Sequence, residues 1–377
     1  MKAPDERDAV PAAAAPRPQP AGSAPAPAEP AVTSARITGI DLARSLAIFG
    51  MFAVHVGPTE AEGWLGGLYA VAHGRASMLF MVIAGVGVSL LAASPRISRR
   101  RARGFLLWRA ALLLPLGLAL QELDHGAAVI LQVYAVLFLV AIPALRLPDR
   151  GVLGLAGVVA TLGSAGFLWG SLSAPDVFDR GPVAWSDPAA DILHGLVLSG
   201  PYPLITWLAP FLFGLWLGRR DLRSPVVRRR LLVLGTAVAV AATVISRGLR
   251  AALGLGDEPT GWSQLALDTA HSQMPLWLIG STAIAAVVLA VSLHLADAAP
   301  RLTRPLVHTG QLALTAYVGH LLALHAAPVL LTADRVGPAL VILLAFVVVS
   351  VVVATLWRAV LPRGPLEAVL HLPRWLE

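Results

Sequence analysis

Polar and apolar positions alternate along this chain on the scale of whole segments. Ten apolar runs, each near the length of about 20 residues that a helix needs to cross a bilayer core, recur at 40–56, 76–93, 104–121, 127–145, 151–172, 202–218, 230–247, 274–296, 310–331 and 337–358. Short segments rich in Arg, Pro, Gly or acidic residues separate them. The ninth run has the least defined length, because Pro305 and Pro328 flank it. The pattern predicts an all-α fold, a polytopic transmembrane helix bundle of about ten helices. Residues 1–35 differ: "PAAAAPRPQPAGSAPAPAEPAV" has almost nothing to bury. It predicts a disordered Pro/Ala-rich tail preceding a membrane domain at 36–377. It does not read as a signal peptide, since no apolar core follows the first charges.

Composition agrees. Hydrophobic residues make up 56% of the chain and charged residues 14%, against about 25% charged in soluble domains, and the mean hydropathy is +0.72. A net charge of +7 would by itself suggest nucleic acid, but the positions of the arginines give it another meaning. With the N-terminus in the cytoplasm, 22 of the 29 Lys and Arg fall in the tail, in the even-to-odd loops and at the C-terminus. Five (Arg75, Arg180, Arg247, Arg250 and Arg335) fall outside, and Arg44 and Arg109 lie within spans. Acidic residues lean the other way, with Glu60, Glu62, Glu122, Asp124, Asp257 and Glu258 among those outside. The basic charge is therefore membrane topology. Both termini are expected in the cytoplasm, and no nucleic-acid partner is expected. The preference for Ala, Arg, Gly and Pro over Lys suits a high-GC bacterium, and so a multi-pass protein of a bacterial inner membrane. Cysteine is absent, which excludes disulfides, thiolate metal sites and a cysteine nucleophile.

The first span, "GIDLARSLAIFGMFAVHVG" (39–57), carries Asp41, Arg44 and His55. Polar groups in hydrocarbon are costly unless paired or wetted. On a helix, Arg44 and His55 differ by about 20° in direction and about 16 Å along the axis, and Asp41 lies one turn below Arg44 on nearly the same face. One face thus offers a cation near the inner surface and a titratable base near the outer one. The plainer alternatives are an interfacial i,i+3 ion pair with a snorkelling arginine and an interfacial histidine without a role.

Asp-x-x-Arg, ten residues, then His resembles the first helix of the bacterial acyltransferase-three family of membrane O-acyltransferases. "RITGIDLARSLAIFGMFAVH" is closer to bacterial proteins similar to the heparan-α-glucosaminide N-acetyltransferase catalytic domain. So are "HGRASMLFMVIAGVGVSLL" (73–91), "VYAVLFLVAIPAL" (133–145), "YPLITWLAPFLFGLWLGRRDL" (202–222), "LALTAYVGHLLAL" (312–324) and "GPLE" (364–367). The resemblance covers most of the chain after residue 36. It implies a membrane acyltransferase that moves an acetyl or other acyl group from cytoplasmic acetyl-CoA, or another acyl-CoA, to an acceptor on the far side. That acceptor would be an envelope glycan or a small molecule, with a hydroxyl or amine as the receiving group. Asp41, Arg44 and Arg109 would meet the cofactor, His55 would be the base, and no metal is required. An imidazole titrating near 6.5 suits a base at neutral pH. The chain also departs from the pattern. The human-type enzymes have Asn where His55 stands, and their catalytic His lies in the loop to the second helix. They carry an Asp where this chain has Arg75. The base is therefore His55 or His73, and His73 with Arg75 is alternatively an oxyanion-stabilising pair.

Other polar residues carry weaker expectations. Arg109 either snorkels or meets a CoA phosphate. Glu122, Asp124 and His125 read as a solvated loop sooner than as an acceptor entrance, Tyr134 as an interface anchor, and Tyr202, Thr206 and Trp207 as part of an aromatic belt sooner than as a sugar-stacking site. Gln311, Thr315 and residues 318–322 form a helical stripe, with Tyr317 and His320 expected to line the interior and contact substrate. Gly85 and Gly87 read as packing glycines. A secondary transporter is the competing function, since intramembrane charges fit it as well, but no internal repeat is visible and the charges sit at span ends. The membrane lipid is a partner in either reading, and a homodimer is compatible with both.

Overall fold

The structure is a computed structural model that describes residues 36–58, 63–178 and 180–371. The predicted tail 1–35 and the loop acids Glu60 and Glu62 lie outside the described residues. Within them the chain is helical throughout. Seven helices are long and apolar enough to cross a membrane, and three shorter apolar ones accompany them at Leu131–Ala144, Leu204–Leu217 and Ala313–Ala326. Each of the ten apolar runs has its helix.

The first helix, α1 (Thr38–Val56), is followed by the short α2 (Gly63–Ala70) and by α3 (Arg75–Ala92). Helix α4 (Arg99–Gln121) starts on Ser98, whose hydroxyl accepts from Arg101 N at 3.2 Å as an N-cap. It leads to α5 (Leu131–Ala144). The fifth run forms α6 (Asp149–Val158) and α7 (Ser164–Ser173), joined by a π-helical turn at Val159–Gly163. The connection onward contains α8 (Pro175–Phe178) and α9 (Ala189–Val197), after which come α10 (Leu204–Leu217), α11 (Pro225–Ala252) and α12 (Pro275–Ala298). Both α11 and α12 begin on a proline, whose missing N–H costs nothing at that position.

The ninth run departs from expectation. Helix α13 (Pro300–Gln311) stops at Leu312, and α14 (Ala313–Ala326) continues from there. A separate turn, α15 (Pro328–Leu331), takes up the end of the predicted span, and α16 (Val336–Val360) and α17 (Pro365–Val369) complete the chain. The Gln311–Thr315 stripe is not one surface: across the break, Gln311 turns to Asp41 at 3.4 Å and Thr315 turns to Glu367 at 2.6 Å.

Small residues set the helix crossings. A Cβ on Gly85 would stand 2.1 Å from the Phe211 carbonyl, and one on Gly214 would stand 2.1 Å from the Val82 carbonyl. One on Gly218 would come within 2.7 Å of the Val86 carbonyl. Helices α3 and α10 therefore touch backbone to backbone through a Gly-x-x-x-Gly on α10. This is the usual device where no hydrophobic effect drives helices together. Gly85 is a packing glycine as expected. Gly87 instead leaves room for Arg44, whose Nη2 lies 3.6 Å from where a Cβ would be. The start of α1 seats on α12 through Gly39 and on α13 through Gly310, where a Cβ would meet the Asp41 carbonyl at 1.7 Å.

One end of the bundle gathers arginines. Arg219 donates to the Leu147 carbonyl at 2.8 Å, just beyond α5, and to Asp149 at 2.9 Å. Arg220 also pairs with Asp149, and Arg228 pairs with Asp297 at 2.6 Å. Ile40, at the start of α1, packs with Leu217, Leu222 and Leu293, so the Asp41 end of α1 is this arginine end. The opposite end gathers histidines, among them His55, His125 and His320 with the exposed His325, whose Nδ1 lies 3.2 Å from the Asp124 carbonyl.

Candidate active site along the first helix

Helix α1 supplies both poles of the site. At the arginine end the Arg44 guanidinium bonds Asp41 Oδ1 at 2.6 Å, while Gln311 Nε2 approaches Oδ2 at 3.4 Å. Asp41 is 1% exposed, so its charge is held by these neighbours and not by water. Arg44 retains 30% of its side-chain surface, so this cation is only partly covered. Arg109, from α4, lies within electrostatic range of Arg44. Its Nε is buried without a partner, and its guanidinium sits 5.9 Å from the Phe105 ring centre. Tyr134 also comes inside, with its hydroxyl buried and unpartnered. It is not the interface anchor its position suggested.

At the other pole His55 meets His320. Nδ1 of His55 and Nε2 of His320 stand 2.9 Å apart, and the rings are stacked at 5.2 Å with planes 5° from parallel. The contact joins residues 265 positions apart. His320 is wedged by Phe52 (4.9 Å), Tyr317 (5.1 Å) and Phe346 (6.5 Å). Tyr317 is fixed in turn by the Ile130 N–H, which donates to its hydroxyl at 3.3 Å. His320 and Tyr317 are both buried, whereas His55 is only partly so, so His55 is the more accessible member of the pair. The loop after α15 closes this end, with Ala333 N donating to the Val56 carbonyl at 2.9 Å.

His73 and Arg75 are not brought into this pair. His73 lies against Tyr69 (ring centres 6.2 Å apart), and both its ring nitrogens are buried without partners. Burial lowers its pKa. Tyr69, in turn, donates its hydroxyl to the Ala53 carbonyl of α1. Arg75 turns back to the Val71 carbonyl at 3.4 Å and makes no contact with His73.

Sequence reasoning missed a cluster behind His73. Trp207 is fully buried, and its indole N–H donates to Gln273 Oε1 at 2.8 Å. The same oxygen accepts from Thr206 at 2.9 Å. Tyr202, Thr206 and Trp207 are therefore interior residues and form no lipid-facing belt. His271 and Gln273 both have positive φ, 59° and 64°. This backbone conformation is uncommon outside glycine and marks strained or functional positions. His271 is exposed on one side, while the rings of Tyr202, Trp207 and Trp277 lie 5.6–5.9 Å from it on the other. No sequence signal pointed there, because a positive φ outside glycine leaves no mark in composition.

Crowding by protein, with the nearby His73 adding to it, brings the His271 pKa down to about 4. An unfolded histidine titrates near 6.5. The folded state thus binds fewer protons than the unfolded state between these values. The stability from the neutral ring is fully present above about pH 6.5 and is lost as the pH falls toward 4. The unfolding midpoint in detergent should drop across that window, and His271→Gln should flatten the drop. An unchanged slope in the variant would assign the acid sensitivity elsewhere.

The loop 122–127 is partly as expected. Glu122 and Asp124 are exposed, but His125 is buried, with Nε2 2.9 Å from the Leu120 carbonyl and Nδ1 accepting from Ala127 N at 3.1 Å. It acts as a structural brace, and burial lowers its pKa. At the arginine end, the Glu367 carboxylate accepts from Leu314 N (2.8 Å), Thr315 N (3.0 Å) and the Thr315 hydroxyl (2.6 Å). It caps the first turn of α14 and so fixes the helix that carries His320.

The sequence model described as "Heparan-alpha-glucosaminide N-acetyltransferase, catalytic" matches residues 36–251, more than half of the chain. The chain belongs to this family. Its type of function is therefore that of a membrane acetyltransferase. A second model, "Protein of unknown function (DUF418)", matches residues 217–376. No curated protein matches the chain significantly. The two regions divide the site: Asp41, Arg44, His55, His73 and Arg109 lie in the acetyltransferase match, while Gln311, Tyr317, His320 and Glu367 lie only in the second. The paired histidines thus come one from each region.

Proposed function

We propose that this protein transfers an acetyl group from acetyl-CoA, entering at the arginine end, to a hydroxyl or amine acceptor reaching His55 from the other end. The observation that carries this reading is the His55–His320 hydrogen bond on the helix whose opposite pole holds the Asp41–Arg44 pair. The positive-inside distribution of arginines makes the arginine end cytoplasmic, where acyl-CoA is found. Arg44 and the unpartnered Nε of Arg109 supply cations for its phosphates. A helix rise of about 1.5 Å per residue sets the two poles about a pantetheine arm apart.

His320 Nδ1 is buried without a hydrogen-bond partner, and the proton shared by the pair is taken to sit on His55 Nδ1. Nε2 of His320 then accepts from the Nδ1–H of His55, and the lone pair on Nε2 of the less buried His55 ring is left free. That nitrogen takes the acceptor's proton as the acceptor attacks the thioester carbonyl. The C–S bond breaks, CoA leaves as thiolate, and the proton on His55 is available to it. His320 and Tyr317 act as positioning residues.

The purified full chain, reconstituted in liposomes with labelled acetyl-CoA and glucosamine or another small hydroxyl or amine acceptor, tests the reading. Label should move to the acceptor, or to water in its absence. A chain that neither binds nor turns over acetyl-CoA, yet carries out solute counterflow, would replace this reading with transport.

A further inference from the structure

A cavity of about 670 Å³ lies on the far side of α10 and α12 from α3 and shares no residue with the site along α1. Helix α6 packs on α10 and α11 packs on α12, and the cavity runs as a groove between these two pairs. Its walls are apolar, with Leu153 and Gly157 on α6, Leu234 and Val238 on α11, and Phe213 and Ala283 below. Two cations, Arg220 and Arg230, stand at one end only, the arginine end. Arg220 shares Asp149 with Arg219 and lies 5.0 Å over the Trp216 ring, yet its Nε is buried without a partner. Arg230 has no anionic partner among the described residues. Asp149 is shared by Arg219 and Arg220 while Arg230 is unpaired among the described residues, so the mouth keeps a positive excess. A volume of this size is that of a ligand site. Apart from the Thr282 hydroxyl its walls are apolar, and its cations mark one end as the place for an anion.

We propose that this groove holds an acyl chain of an anionic phospholipid from the leaflet at the arginine end, with its phosphate at Arg220 and Arg230. The apolar length takes the chain, and the two guanidinium groups take the phosphate as forked donors. The proposal does not rest on the acetyltransferase reading.

The test is native mass spectrometry of the delipidated full chain, titrated with dioleoylphosphatidylglycerol or dioleoylphosphatidylcholine. The anionic lipid should bind more tightly, and Arg230→Gln should weaken it about fivefold, the equivalent of one surface cation. Gly157→Phe should remove binding of both lipids. A Cβ there meets nothing within 4 Å, so the ring enters the groove without disturbing the helix. Gly154→Phe, equally unobstructed but outside the groove, should change nothing. If Gly157→Phe lowers the unfolding midpoint, Val238→Trp at the open edge serves in its place. Equal affinity for the two lipids, or full binding in the groove-filled variant, would overturn the proposal. So would displacement of the lipid by inorganic phosphate alone, which would make the mouth a site for a free anion.

Discussion

His55→Ala should lower acetyl transfer by about 10²–10⁴-fold, the range general-base catalysis contributes, with KM for acetyl-CoA nearly unchanged. Arg44, the cation proposed for the cofactor, is 11 residues away on the same helix and is untouched by the change. His320 acts through His55, so its variants should separate by what they can accept. His320→Gln keeps a carbonyl for the Nδ1–H of His55 and should retain more activity than His320→Phe. The double variant His55→Ala/His320→Phe should be no slower than His55→Ala alone, because two members of one device are not additive. A wild-type rate in His55→Ala, together with its loss in His73→Ala, would move the base to the Tyr69–His73 corner.

Gly214→Leu should be the most damaging single change to the fold. The added Cβ alone would stand 2.1 Å from the Val82 carbonyl. The obstacle is backbone on an opposing helix, which cannot rotate away as a side chain can. Overpacking typically costs about 1–3 kcal/mol and sometimes more, and here about 3 kcal/mol or more is expected. The α3–α10 contact seats α3, whose Gly87 leaves room for Arg44, against α10, which carries Trp207, so acetyl-CoA binding should fall with stability. Scanning fluorimetry in detergent measures the midpoint. Gly154→Leu, which meets open space, is the matched control and should shift it little. A normal midpoint for Gly214→Leu would show that α3 and α10 can separate at small cost.

The break at Leu312 shows how the two halves of the site are held. Glu367 caps α14 from beyond α16, and Gln311 reaches Asp41 from the end of α13. The kink lets consecutive helices serve different poles: α13 closes on the Asp41 end of α1 and α14 delivers His320 to its His55 end. A straight helix through 310–331 would put both groups on one fixed stripe and could not meet α1 at both places.

The sequence by itself determined where the apolar helical runs lie and which of their ends carry the arginines. Apolar length and the arginine distribution are properties of consecutive residues, and a bilayer reads them span by span. It also singled out Asp41, Arg44 and His55, because three polar groups in one span stand out against hydrocarbon. The tertiary structure alone decided which neighbours those groups have. His320 sits 265 positions from His55, and its partner is chosen by how α14 is rotated and tilted against α1, which depends on glycine contacts and caps elsewhere. The same is true of Trp207, whose place at a span end reads as belt until packing shows it wholly buried on Gln273. It is true again of His271, which a strained loop sets beside three aromatic rings. Local composition sets what a segment is, whereas contacts between distant segments set what it faces.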